Sequence, residues 1–146
     1  MIRLYKNEDR KKIIELLNLN IPKSFAPSEA GDFIEYLDEH LEDYFVVEEK
    51  GELIGAGGIN YFPENHAARI SWDFIHPDAQ GKGIGKKLLL HRIAVIKKKA
   101  DVHQIIVRTS QLAFRFYEKS GFKLDQIKKD FWAPGFDLYL MKIDLK

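Results

Sequence analysis

The sequence contains no cysteine, and this absence excludes disulfide bonds, thiolate nucleophiles and metal sites built on cysteine. It also lacks any apolar run approaching the roughly 18 residues of a membrane span, so no membrane partner is expected. The first twenty residues mix both charge signs and have no apolar signal segment. Together these absences predict a cytoplasmic protein.

A large excess of charge of either sign is missing as well. Lys and Arg number 23 against 22 Asp and Glu, which gives a formal net charge of +1. This balance argues against a general electrostatic affinity for nucleic acid, so no nucleic-acid partner is expected. The run Lys97–Lys99 is interpreted as a solvated helix end, where cations suit the helix dipole. With 146 residues, 45% of them apolar, the chain predicts a single domain over residues 1–146.

Hydrophobic periodicity and turn residues predict a mixed α/β order of elements. A short strand and two helices come first, three strands follow, and then a helix, a strand, a helix and two strands. The segment 69–107 is interpreted as a strand, a glycine-rich loop, a helix and a parallel strand with a right-handed crossover. Three glycines, Gly55, Gly57 and Gly58, fall in the predicted strand 52–60. So many glycines indicate a bend in that strand or a close approach to its backbone.

The glycine-rich loop has the sequence Gln-Gly-Lys-Gly-Ile-Gly-Lys-Lys over residues 80–87. Glycines let backbone N–H groups converge, and the start of the predicted helix 84–99 adds partial positive charge, so the construction suits a pyrophosphate. Lys82, Lys86 and Lys87 add full charges at its rim. The spacing fits neither a Walker A loop nor the G-x-G-x-x-G fingerprint, and a plain glycine-rich connection stays open.

A second motif follows on the helix after the next strand, and the two motifs together resemble the GNAT N-acetyltransferase superfamily. The matching segments are Ile75-His76-Pro77…Gln80-Gly81-Lys82-Gly83-Ile84-Gly85 and Ala113…Phe116-Tyr117-Glu118-Lys119…Gly121-Phe122. The resemblance implies the α/β acyl-CoA N-acyltransferase fold. This fold has a mixed central sheet of about six to seven strands, splayed between the fourth and fifth, and about four flanking helices.

The resemblance also implies an activity. The chain is expected to be an acetyl-CoA-dependent N-acetyltransferase that moves the acetyl group directly to a primary amine, on a small molecule or a peptide N-terminus. Acetyl-CoA is then the co-substrate, and no metal is expected. A non-catalytic acyl-CoA-binding regulatory module on the same fold is the alternative. The loop 129–136, which contains Trp132, is expected to wall the acceptor pocket or to form the contact of a homodimer.

Individual site residues follow from the same resemblance. The loop is expected to bind the pyrophosphate of acetyl-CoA, and the backbone of the fourth strand to bind the pantetheine arm. Ser110 stands where many members carry a pantetheine-binding Asn. The expected cofactor-binding residues are Asp73, Phe74, Ile75, Gln80, Gly81, Lys82, Gly83, Ile84, Gly85, Lys86, Ser110 and Tyr117.

Two of these residues are expected to be catalytic. Tyr117 matches the family's general acid, and a phenol with a pKa near 10 can hydrogen-bond to or protonate a departing thiolate. Its interpretation as a core aromatic stays open. Asp73 is the candidate general base, expected to share a strand face with Ser71 and Ile75. A carboxylate paired with Lys or Arg is the alternative for Asp73, and His76, Glu64 and His66 are weaker candidates for the base.

Overall fold

Seven strands form one mixed sheet in the computed structural model, which describes residues 1–145. Their order across the sheet is β1-β2-β3-β4-β5-β7-β6, and every neighbouring pair is antiparallel except the parallel pair β4 and β5. The predicted mixed sheet is confirmed. The strands are β1 (Ile2–Leu4), β2 (Asp43–Glu49), β3 (Glu52–Phe62), β4 (Ala67–Ile75), β5 (Gln104–Thr109), β6 (Lys123–Ala133) and β7 (Phe136–Asp144).

Four α-helices cover the two faces of the sheet within residues 1–145, as predicted. They are α1 (Arg10–Asn18), α2 (Glu29–Glu39), α3 (Ile84–Lys97) and α4 (Phe114–Lys119). None of these helices has the length and apolar character needed to cross a membrane. Short 3-10 turns occur at Asn7–Asp9, Pro63–Asn65 and Pro77–Ala79.

The hydrophobic core is divided by the sheet into two clusters. Ile13 of α1 and Phe33 of α2 pack with Phe74 of β4 on one face. On the other face, Leu89 and Ile96 of α3 pack with a larger set of buried side chains. The spacing of apolar residues along each helix places them on one side, so each helix buries that side against the sheet.

Strands β4 and β5 are paired over only part of their length. Residues Ala67–Ile70 pair in register with residues Gln104–Val107, and the two strands then diverge. The rest of β4 remains paired with β3 as far as Ile75. The splayed cleft between the fourth and fifth strands is thereby confirmed, and one edge of β4 is open to it.

A β-bulge interrupts β4 beside this cleft. Trp72 has a φ of 47°, and the pairing with β3 shifts there, from Ala56 opposite Phe74 to Gly58 opposite Ser71. One extra residue therefore lies on β4, which breaks the alternation of side chains between the two faces.

The bulge changes which residues of β4 share a face. Trp72 packs against Phe33, on the α2 side of the sheet, whereas Asp73 contacts α3 on the opposite side. Ser71 comes directly after Ile70, which packs in the core on the α3 side, so Ser71 faces the α2 side. The expectation that Ser71 and Asp73 face the same way is therefore wrong, because simple alternation does not hold across a bulge.

Candidate active site

The glycine loop reverses direction just before α3. Gly81 and Gly83 both adopt a φ of 80°, in the left-handed region that glycine tolerates best. A Cβ atom on either residue would meet no atom within 4 Å, so the space above the loop is open. The first helical bond runs from the Lys87 N–H to the Gly83 carbonyl at 3.1 Å. Among the described residues, 1–145, the backbone N–H groups of residues 81–86 have no acceptor, which suits them to an anion.

A cleft of about 670 Å³ begins at this loop and passes between the splayed parts of β4 and β5. Of the twelve residues expected to bind the cofactor, only Lys82 and Ile84 do not line it. Lys82 is exposed outside the cleft, and Ile84 packs against the core. The other ten line it: Asp73, Phe74, Ile75, Gln80, Gly81, Gly83, Gly85, Lys86, Ser110 and Tyr117.

Three side chains meet beside the bulge in β4. The Tyr117 hydroxyl donates to Asp73 Oδ2 at 2.7 Å, and Arg92 Nη2 of α3 lies 2.8 Å from the same oxygen. The latter contact is an ion pair whose N–H direction falls outside hydrogen-bond geometry. Arg92 is completely buried, and its Nε and Nη1 groups donate to the carbonyls of Leu88 and Gly58. Asp73 is therefore held from two sides, which is the paired arrangement that the sequence left open.

The protonation of Tyr117 is strongly influenced by this cluster. Burial raises the pKa of its hydroxyl well above the ordinary value, the negative charge of Asp73 raises it further, and the charge of Arg92 opposes these effects. The phenol therefore keeps its proton throughout the neutral range. That proton is directed at Asp73, and the ring also lines the cleft.

Arg92 is the main site residue that pattern reasoning misses. It lies three residues after Leu89 and four before Ile96, so it falls on the buried stripe of α3. A cation on such a stripe requires a buried anion, and this was the available signal. Gly57 has its explanation here as well, because a Cβ atom there would lie 2.6 Å from Arg92 Nη1 and 2.9 Å from Asp73 Oδ1.

The weaker candidates for the general base lie away from the cleft lining. His66 stacks on His103 with ring centroids 4.7 Å apart. The His76 ring accepts a hydrogen bond from the Asp78 N–H at 3.0 Å, and Glu64 belongs to a short turn on the surface. None of the three lines the cleft that contains Tyr117.

The part of the cleft away from the glycine loop, here called the far half, is lined by aromatic and cationic side chains. The Trp132 indole N–H donates to the Thr109 carbonyl at 3.1 Å, which fixes the indole beside the open end of β5. The Ser110 hydroxyl accepts the Leu112 N–H at 3.2 Å, so this serine closes a turn. Residues of this half include Tyr36, Arg69, Trp72, Arg108, Trp132 and Phe136.

Comparison with known proteins agrees with this geometry. Residues 10–122 match the acetyltransferase (GNAT) family. The chain belongs to this family. The resemblance read from the two sequence motifs is thus confirmed, and the GNAT fold accounts for both the glycine loop and the splayed strands.

Individual GNAT relatives are distant. An N-alpha-acetyltransferase of Sulfurisphaera tokodaii is 26% identical over 160 residues, covering 99% of this chain and 92% of the relative. The chain spans only 19% of the amino-acid acetyltransferase of Vibrio atlanticus, to which it is 28% identical over 88 residues.

Solved GNAT structures superpose over nearly the whole chain. The ribosomal-protein-S18-alanine N-acetyltransferase of Escherichia coli has a TM-score of 0.82 at 18% identity, covering 100% of this chain and 94% of that protein. A Salmonella typhimurium protein solved with its cofactor acetyl-CoA has a TM-score of 0.76 at 19% identity, with coverage of 100% and 94%. At these identities the likeness establishes the fold.

Proposed function

We propose that this GNAT chain is an acetyl-CoA-dependent N-acetyltransferase that transfers the acetyl group directly to a primary amine. The observation that carries the proposal is one cleft, lined by the glycine loop, by Tyr117 and by the residues where β4 and β5 diverge. The presence of acetyl-CoA in a structure of the same fold supports the choice of co-substrate.

The cofactor is proposed to bind along the near half of the cleft. The N–H groups of residues 81–86 bind the pyrophosphate, and Lys82 and Lys86 contribute positive charge. The pantetheine arm pairs with the open edge of β4 at residues 73–75, because unpaired backbone groups can bind an amide-bearing ligand. Ser110 lies at the other wall of the cleft.

The transfer step is a direct attack. The neutral amine nitrogen bonds to the thioester carbonyl carbon, the carbon–sulfur bond breaks, and the amide nitrogen loses a proton. The departing thiolate receives a hydrogen bond or a proton from Tyr117, whose raised pKa keeps the phenol protonated. A backbone N–H beside the bulge at Trp72 is suited to polarise the thioester carbonyl. No metal takes part.

Asp73 has two proposed roles, which differ in where the amine proton goes. As general base it would accept that proton. As a positioning residue it would hold the Tyr117 hydroxyl while the proton passes to solvent. The positioning role has more support, because Asp73 Oδ2 already contacts both Tyr117 and Arg92. A pH profile of the Asp73→Asn variant separates the roles, since loss of a general base removes the limb of the profile that reports its ionisation.

A thiol-release assay with acetyl-CoA and a panel of amines and peptides tests the proposal. Tyr117→Phe should lower kcat about 100-fold with the KM for acetyl-CoA little changed, since a general acid contributes about 10²–10⁴ to rate. Tyr139→Phe is the matched control, because Tyr139 packs against Phe114 outside the cleft. An unchanged kcat in Tyr117→Phe would remove the general-acid role.

The alternative is a non-catalytic acyl-CoA-binding module on the same fold. It is favoured by the direction of the Tyr117 proton, toward Asp73. Saturable acetyl-CoA binding without thiol release from any amine would support this alternative and contradict the enzyme.

The proposal includes a cytoplasmic location and a homodimer formed through β6. Nearly every residue of this edge strand is exposed, and its exposed apolar side chains include Leu124 at 45%, Ile127 at 49% and Phe131 at 44%. Unpaired strand edges pair readily with a second chain. Light scattering of the wild type and of Ile127→Lys would test this contact.

A further inference from the structure

Two arginines line the far half of the cleft without an acidic partner among residues 1–145. Ile70 of β4 and Val107 of β5 pair in register, and both belong to the core on the α3 side. Side chains alternate along a strand, so the neighbouring Arg69 and Arg108 project to the α2 side. The register therefore brings together two cations that lie far apart in the sequence.

Each guanidinium lies over an aromatic ring. Arg69 Cζ is 4.8 Å from the centre of the Phe62 ring, and Arg108 Cζ is 5.6 Å from that of Trp132. Such a contact between a cation and a ring uses none of the guanidinium N–H donors. Neither guanidinium donates a hydrogen bond to another residue within 1–145, so these donors stay available to a carboxylate.

The local charge balance of this wall is positive. Burial lowers the pKa of Arg69, and the nearby charge of the more exposed Arg108 lowers it further. The acids among the lining residues are Asp73 and Glu29. Asp73 is paired with Arg92, and Glu29 accepts the Ala26 N–H at 2.7 Å. Neither acid contacts Arg69 or Arg108, so an anionic group of a ligand would relieve the repulsion between them.

We propose that the acceptor is an amine carrying a carboxylate a few bonds away, and that Arg69 and Arg108 bind this carboxylate. The inference rests on the proposed acetyl transfer and names its substrate class. Arg108 follows Val107, the last residue of β5 that pairs with β4, so it lies where the gap that leads to Asp73 begins to open. A polyamine or an aminoglycoside would bring positive charge to a positive wall.

Two classes of compound carry both an amine and a nearby carboxylate: free amino acids and short peptides. The test compares four acceptors with one apolar side chain: leucine, leucinamide, 3-methylbutylamine and the dipeptide Leu-Gly. The same sets built on phenylalanine and threonine cover other side chains. Thiol release is measured with each, and rates are corrected for the neutral fraction of the amine.

The carboxylate acceptors should have kcat/KM at least tenfold above their amides and decarboxylated amines. Arg69→Gln and Arg108→Gln should each raise the KM for the carboxylate about tenfold and leave the KM for acetyl-CoA and for the amides unchanged. Lys123→Gln is the control, because it removes one positive charge from the exposed strand β6. It should leave the KM for the carboxylate acceptor and the KM for acetyl-CoA unchanged. A preference for leucine over Leu-Gly assigns the free amino acid, and the reverse assigns the peptide.

Equal rates for amides and carboxylates would overturn the inference and leave acetyl transfer intact. If no acceptor releases thiol, the proposed transfer fails, and calorimetry with leucine and leucinamide in the presence of CoA decides the anion site separately. Binding of leucine that is lost in Arg69→Gln and Arg108→Gln supports that site. Equal binding of the two ligands overturns it.

Discussion

The buried ion pair between Arg92 and Asp73 makes a stability experiment informative. Arg92→Met keeps a long side chain in α3 but removes the charge that lies 2.8 Å from Asp73 Oδ2. The Asp73 side chain, only 10% exposed, would then keep the Tyr117 hydrogen bond but have no cationic partner, and the Gly58 carbonyl would lose the Arg92 donor. Breaking a buried pair in this way costs about 3–5 kcal/mol. At about 2–4 °C per kcal/mol for a chain of this size, Tm should fall by roughly 6–20 °C.

The remaining corners of a double-mutant cycle identify the cause. Asp73→Asn leaves Arg92 charged and buried, so it should also cost several kcal/mol. The double variant carries neither charge. It should be destabilised by clearly less than the sum of the two single variants, because each single variant leaves one buried charge without its partner and the double variant leaves none. Urea unfolding followed by tryptophan fluorescence measures all four proteins.

A surface pair provides the control for this cycle. Arg10 and Asp38 lie 3.1 Å apart, but their side chains are 40% and 52% exposed. Arg10→Met should therefore cost less than about 1 kcal/mol. The reasoning would be refuted if the destabilisation of the double variant equalled the sum of those of Arg92→Met and Asp73→Asn within about 0.5 kcal/mol. It would also be refuted if Arg92→Met were as stable as the wild type.

Two further predictions concern stability. Gly57→Ala should lower the free energy of unfolding in urea by about 2 kcal/mol or more, because the new Cβ would displace the Arg92 guanidinium. Gly31→Ala is the control: a Cβ at this position of α2 meets no other atom within 4 Å, so the change should raise the free energy of unfolding by about 0.5–1 kcal/mol. Equal effects of the two substitutions would contradict this prediction. The pKa values of Tyr36, Tyr44 and Tyr117 are raised mainly by burial, so the unfolded chain releases phenol protons first. The free energy of unfolding should therefore fall as pH rises past about 10, and a constant value from about pH 8 to 11 would contradict the burial effect.

Much of the near half of the cleft could be predicted from sequence. The glycine loop and the Tyr117 helix are local motifs, so their residues carry the information themselves. Local motifs do not set the pairing between strands, however. The positive φ of Trp72 depends on how β4 pairs with β3, and alternation alone therefore misplaced Ser71 relative to Asp73.

The far half depended on contacts between distant segments. Arg69 and Arg108 come together only through the parallel register of β4 and β5, which no short pattern encodes. Arg92 carried a signal, a cation on an apolar helix stripe, but its partner could be named only from the fold. The need for glycine at position 57 could not be predicted either, because it arises from the close approach of Arg92 in the folded structure.

The absence of a side chain at position 57 also constrains how this sequence can change. The space that any Cβ would need there is filled by the Arg92 guanidinium and the Asp73 carboxylate. A chain that gains a larger residue at 57 must first lose or move the arginine, and one that loses the arginine no longer requires the glycine. The residues at positions 57, 73 and 92 thus constrain one another, and substitutions among them are expected to be tolerated only in a restricted order.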